Sequence, residues 1–343
     1  MPLALTQQTK FAISYGKQLD LVTALNATKM WSLRATAVSL HANPINEDDA
    51  TDLGKGVYAT TTFPSHIEAG GAWNGRITSE ALAQLIAFAG GTVVQTPVAT
   101  GGFGYTVTAP DLTVVGLDLP VATIVESIGS VSDKMLIGVA CEEFGISLKS
   151  GPGRDNATFT SNWLGTGKFL KPSGIILPAP YAEHSMTAGS LTTLNLAGFD
   201  YLANRRFVSA DFTWKNNIRD ASSYFPGSGN QAGFQLRGRI RRGVPTLSLK
   251  CTVECDSGSS EEDTLLAQTE GSGTIVMTGP AGAMTGAGRH LLSITFPRLR
   301  VKAASIGDSD GIASYQLDYS ILQDSTLGVC TILVQCEQNG LLT

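Results

Sequence analysis

Alternation dominates this sequence. Apolar and polar residues exchange places one by one in 33–40, 136–149, 156–164, 207–214, 246–255, 312–322 and 329–336. A period of two marks a strand with one buried face. These runs are rich in Val, Ile, Thr and aromatics and are separated by Gly, Asn, Asp and Ser, as strands and their turns require. The expected fold is therefore mainly β. One segment departs from that period: in 78–89, TSEALAQLIAFA, residues Leu82, Leu85, Ile86 and Ala89 share a helical face. Ser79 is the expected N-cap, and Gly90-Gly91 the stop. A second short helix is expected over 260–268, with acidic residues in its first turn, where the helix dipole favours them.

The two halves of the chain answer each other. Gly91-Thr92-Val93-Val94 follows the first helix as Gly273-Thr274-Ile275-Val276 follows the second. Gly138 and Gly311 each open an alternating strand, and this offset sets Phe144, Ile146 and Leu148 on Leu317, Tyr319 and Ile321. Ala157 and Phe159 fall in the same way on Cys330 and Ile332, and Val38 and Leu40 on Phe212 and Trp214. We expect an internal duplication, with a first domain over 1–172, a Pro-rich linker over 173–189 and a second domain over 190–343. Residues 1–30 form a candidate arm. Each half also carries a long polar loop after its first strand, 46–64 and 219–243. Loops of that length are usually functional or disordered.

Charge is scarce. Asp, Glu, Lys and Arg make up 15% of the residues, against about 25% in an average soluble protein. Either Thr, Ser and Asn cover the outer faces, or copies of the chain cover one another. The net charge of −5 argues against a nucleic-acid grip, which needs a basic stripe. It leaves room for nucleic acid that passes without sticking. No basic segment followed by an apolar run opens the sequence, so no secretory signal is expected. No apolar stretch approaches the ~18 residues of a membrane helix. The cysteines, Cys141, Cys251, Cys255, Cys330 and Cys336, are expected as free, mostly buried thiols in a cytoplasm.

Little in the sequence points to catalysis. His41, His66, His184 and His290 are scattered, and none pairs with another at metal-ligand spacing. Cys251 and Cys255 would lie about 13 Å apart along a strand, too far for a zinc knuckle. Gly167-Lys168 is followed by Phe169, not the Ser or Thr of a phosphate loop. Glu142 and Glu143 are adjacent on a strand and point to opposite faces. No catalytic, metal or cofactor residue is expected, and the chain reads as non-enzymatic. One concentrated positive feature remains, Arg237, Arg239, Arg241 and Arg242. It is either a solvated hairpin or a loop that docks on an acidic patch of a neighbouring copy.

The pattern of 33–45, 70–91, 119–148, 208–218 and 292–335 resembles the major tail tube proteins of long-tailed bacteriophages. Gly75-Arg76-Ile77 leading into Ser79-Glu80-Ala81-Leu82 carries the likeness most clearly. The resemblance implies two tandem β-sandwich or split-barrel domains, each with one short flanking helix. It implies a virion protein assembled in the host cytoplasm. Copies form rings, three duplicated chains rather than six, that stack into a tail tube for DNA ejection. Implied partners are the chain itself, the tape measure, tail terminator and baseplate or distal tail proteins, and double-stranded DNA in passing; no membrane and no cofactor are implied. Glu143, Asp318 and Gln316 then face the lumen, or else an outer solvated face. Asp48, Asp49, Lys55, Tyr224, Phe225 and the four arginines are candidates for contacts between subunits and rings. The competing reading is a two-domain β-sandwich binding module for a receptor or glycan, or another tail or capsid component.

Overall fold

The computed structural model describes residues 9–14, 18, 20–21, 23–24, 30–33, 35–48, 62–98, 101–109, 118–128, 132–152, 156–171, 177–179, 183–219, 224–256, 260–280, 284, 288–309 and 311–341. The fold is mainly β. The first half holds β1 (Thr9–Ser14), β2 (Met30–Leu33), β3 (Ala37–Asp48), β4 (Thr62–Arg76), α1 (Ser79–Gly90), β5 (Val94–Pro97), β6 (Phe103–Thr108), β7 (Ala122–Ile128), β8 (Ser132–Lys149), β9 (Ala157–Gly165) and β10 (Phe169–Leu170). The second holds β11 (Leu191–Leu196), β12 (Phe199–Asp200), β13 (Phe207–Lys215), β14 (Tyr224–Pro226), β15 (Gln235–Arg237), β16 (Thr246–Glu254), α2 (Glu261–Leu266), β17 (Glu270–Thr278), β18 (Leu291–Ser309), β19 (Ile312–Leu322) and β20 (Thr331–Cys336). The expected strand over 33–40 is interrupted, with β2 ending at Leu33 and β3 starting at Ala37. The first polar loop is partly strand, because β3 and β4 extend into it as a hairpin out to Asp48 and Thr62.

Strand pairing follows one scheme twice. In the first half the ladder runs β2-β1-β7-β8-β9-β4-β3, with β10 added to β8. In the second it runs β12-β11-β17-β18-β19-β16-β13, with β20 added to β18. Helix α1 packs on β8 as α2 packs on β18. The hairpins β5–β6 and β14–β15 are additions to this common scheme. The sequence offset set 138–148 against 311–321, whereas the two ladder orders run in step one strand away from that offset. They match β8 with β18, and β9 with β19. Every half-buried strand has a period of two, so parity alone does not identify its partner.

The long strands join two layers. Residues 132–139 of β8 pair with β7, and its distal part pairs with β9 and β13. Between the layers lies a core shared by both halves. Phe144 of β8 stacks on Trp214 of β13 at 5.9 Å and meets Phe212 at 6.1 Å, and Phe212 meets Phe296 of β18 at 5.7 Å. Asn216 is fully buried and ties the halves by hydrogen bonds. Its Nδ2 donates to the carbonyls of Ala89 and Cys141, both at 3.0 Å, and its Oδ1 accepts from Trp214 Nε1 at 3.1 Å. β20 also pairs with β6 across the halves. The 173–189 connection docks on the first half. Ser185 bridges to Thr78, and buried Met186 donates its N–H to the Ile77 carbonyl at 2.9 Å.

Helix α1 is buried on every side, so its apolar stripe is only part of the contact it makes. It is capped by Thr78 and not by Ser79, with Thr78 Oγ1 accepting from Ala81 N–H at 3.2 Å. Gly91 ends it in the left-handed conformation, φ 80°, which glycine adopts without a Cβ penalty. The same Thr78 hydroxyl donates to Glu183 Oε2 at 2.9 Å. Thr78→Ala should therefore cost about 1 kcal/mol, read as a lower denaturant midpoint with an unchanged slope.

Cys141, Cys251, Cys330 and Cys336 are buried free thiols, and Cys255 is partly exposed. Burial raises their pKa values, that of Cys336 to about 12, so they are poor nucleophiles. No helix among the described residues is long and apolar enough to cross a membrane.

Candidate assembly surface

β8 and β13 pair antiparallel from Glu143↔Lys215 to Lys149↔Ser209. This junction fuses the halves into one sheet with the order β3-β4-β9-β8-β13-β16-β19-β18. Its inner face carries Phe144, Ile146 and Leu148, then Ala210, Phe212 and Trp214, then Leu249, Cys251 and Val253, then Leu317 and Tyr319, all buried. Cross-strand partners share a face, which fixes the residues on the other side.

That outer face unites the predicted residues. A row runs from Ser147 through Asp211 and Lys250 to Asp318, and the next from Lys149 through Ser209 and Thr252 to Gln316. Glu143 lies on the same face, opposite Lys215. The sheet thus brings Glu143, Gln316 and Asp318 onto one solvent-facing surface built from both halves. Its charge is mixed. Lys215 Nζ lies 3.7 Å from Glu143 Oε2, and Lys250 Nζ lies 3.8 Å from Asp318 Oδ1. Both pairs are half-exposed, so each contributes at most about 1 kcal/mol and is screened by salt. Ser314 shares the strand register of this face but is buried.

Among the described residues no further strand pairs at the two ends of the sheet. Among the described residues β3 pairs with β4 alone, and β18 beyond Arg300 pairs with β19 alone. Ile306, on the inner-face register of this free stretch, is 68% exposed. Within the chain the equivalent edge of β8 is covered by β13. β8 and β18 each carry a bulge in their distal half, at Cys141/Glu143 and at Val301/Ala303. Aligning the bulges sets Ile306 at the station of Ile146 and Leu40 at that of Phe212. This is two residues from the register read in the sequence, with parity kept.

The loop residues divide. Asp48 ends the β3–β4 ladder opposite Thr62; Asp49 and Lys55 lie outside the described residues. Tyr224 and Phe225 pair with Arg237 and Leu236 in the β14–β15 hairpin, with Tyr224 exposed. The four arginines do not form one exposed patch. Arg239 is exposed. Arg241 Nε pairs with Asp118 Oδ1 of its own chain at 3.1 Å. Arg242 is buried, its Nε and Nη1 have no hydrogen-bond partner among the described residues, and burial lowers its pKa. Burial withdraws Arg242 from the expected set, leaving Arg239 exposed and Arg237 and Arg241 half-buried. Neighbouring residues on an extended segment face opposite ways, so Arg242 falls on the buried side with Leu236 and Ile240.

A further cluster went unseen in the sequence. Glu80, His184 and His290 come from α1, from the connection between the halves, and from the residue before β18. Glu80 Oε1 lies 2.9 Å from His184 Nδ1 and 3.8 Å from His290 Nδ1, and Oε2 accepts the His184 N–H at 3.0 Å. The imidazoles stack at 4.0 Å and 19°. Ser79 Oγ lies 2.7 Å from His290 Nδ1. Only folding joins these residues, so no spacing rule could reveal them.

No protein-family model matches this chain, and no curated protein matches it.

Proposed function

We propose that this chain is a tail tube subunit, a structural protein whose copies close into three-membered rings that stack into a conduit for DNA. The observation that carries the reading is the open distal edge of β18 beside the covered edge of β8. The ladder order of the two halves repeats, which supports an internal duplication. The β8–β13 junction is then an internal copy of a junction that β18 makes with β3 of the next chain. Two tube units per chain close a ring of pseudo-sixfold symmetry with three copies. A heterologous interface of this kind forms a ring when its rotation closes. It also removes the free strand edges that otherwise invite uncontrolled pairing.

The outer face of the sheet suits the wall of a conduit. Ser147, Thr158, Thr160, Thr213, Ser248 and Thr252 give it short polar side chains, and its lysines lie among carboxylates. A wall without net positive charge gives passing phosphates no counterion-releasing grip. The hairpin β14–β15 and the end of the β3–β4 ladder at Asp48 and Thr62 are the candidates for contact between stacked rings and with other tail proteins.

Negative-stain microscopy and mass photometry of the purified chain over rising concentration test this reading. Stacked rings with a central hole and a ring mass of three chains are expected. A monodisperse monomer at every concentration overturns it and favours a two-domain binding module.

A further inference from the structure

We propose that Glu80, His184 and His290 form a binding site for a divalent transition-metal ion that fastens the connection between the halves to helix α1. The donor set is one carboxylate oxygen and two imidazole nitrogens, which suits zinc, cobalt or nickel. All three donors lie within 4.8 Å of one another. Adjacent ligands around a tetrahedral ion at 2.0–2.1 Å stand about 3.3 Å apart. The Oε1–Nδ1 separations of 2.9 and 3.8 Å bracket that spacing. Both Nδ1 atoms face Glu80 Oε1; the rings stack at 19°, so the half-exposed His184 ring turns to bring its in-plane lone pair onto the ion.

Charge argues the same way. The Glu80 side chain is 0% exposed, and a buried carboxylate is costly unless a cation or several donors compensate it. Oε2 already accepts from the His184 N–H and from Ser79 Oγ, both at 3.0 Å, and a dipositive ion on Oε1 adds the balancing charge. It replaces the hydrogen bond between His184 and Oε1, and each ligating Nδ1 must give up any proton it holds, to Nε2 or to solvent. Ser79 Oγ or a water completes the shell. The His184 side chain is 35% exposed and gives the ion a way in. Ser79, His290 and Glu80 together resemble a nucleophile with its base and orienting acid, but all three are buried.

The test uses the full chain, stripped with a chelator and then titrated with Co²⁺. One equivalent per chain is expected, with visible d–d absorption that Zn²⁺ abolishes by displacement. His184→Ala and His290→Gln should each weaken Co²⁺ binding by at least the 10–100-fold seen for outer-sphere partners of metal ligands. His184 is partly exposed, so its variant should fold and can decide alone if the His290 variant does not. Elemental analysis after dialysis against Zn²⁺ gives an independent stoichiometry. No bound ion in the wild-type chain, or undiminished binding in the His184 variant, overturns the site.

Discussion

Cysteines introduced at His41 and Ser305 will cross-link neighbouring copies with a short bismaleimide, and the denatured ladder will stop at three chains. Both residues are exposed and lie on the outer-face register of the two open edges. Aligning the bulges of β8 and β18 sets them opposite each other, as Gly145 stands opposite Thr213 within the chain. A slip of two residues moves the partner by about 7 Å along the strand, which a short linker still spans. The native thiols interfere little, since four are buried. Each single-cysteine variant should give no product above background. A ladder reaching six chains would keep the β18–β3 contact and overturn the three-copy ring. Products absent from assembled material would overturn the contact itself.

Phe212→Ala will destabilise the whole chain by about 3–5 kcal/mol, the usual cost of removing a buried phenylalanine. Phe212 touches Phe144 across the junction of the halves and Phe296 behind it. It belongs to a core that runs without a break from Phe11 to Leu341. Denaturant unfolding of the wild-type chain should therefore be one transition by both tryptophan fluorescence and circular dichroism. The variant should move that transition as a unit. Two transitions, only one of which moves, would mean that the halves unfold separately. A loss below about 1 kcal/mol would mean that the site collapses around the smaller side chain.

Much of the fold is legible in the sequence because its signals are local. The runs that became β9, β13, β16 and β19 were read within a residue or so of their ends, since side-chain alternation shows which face is buried. The Leu82, Leu85, Ile86 and Ala89 spacing marked α1, and Gly91 marked its end. The face carrying Glu143, Gln316 and Asp318 was also readable, because parity within a strand separates it from Phe144 and Leu317. Less legible were β4 and β18. Both continue as hairpins through polar segments whose side chains face solvent on both sides, where the period of two fades.

The identity of the strands, their buried faces and helix α1 depend on residues two to four positions apart, and so are written locally in the sequence. Strand partners are set between segments far apart in the chain. The fold sets β8 and β18 at the same station of the two ladder orders, buries Arg242 and draws Arg241 to Asp118. It also brings Glu80, His184 and His290 to one point, and among the described residues it pairs no further strand at the ends of the sheet. Each of these depends on ladder hydrogen bonds and packing between segments far apart in the chain. Backbone hydrogen bonds are the same for every residue, so a strand's sequence states its face but not its neighbour.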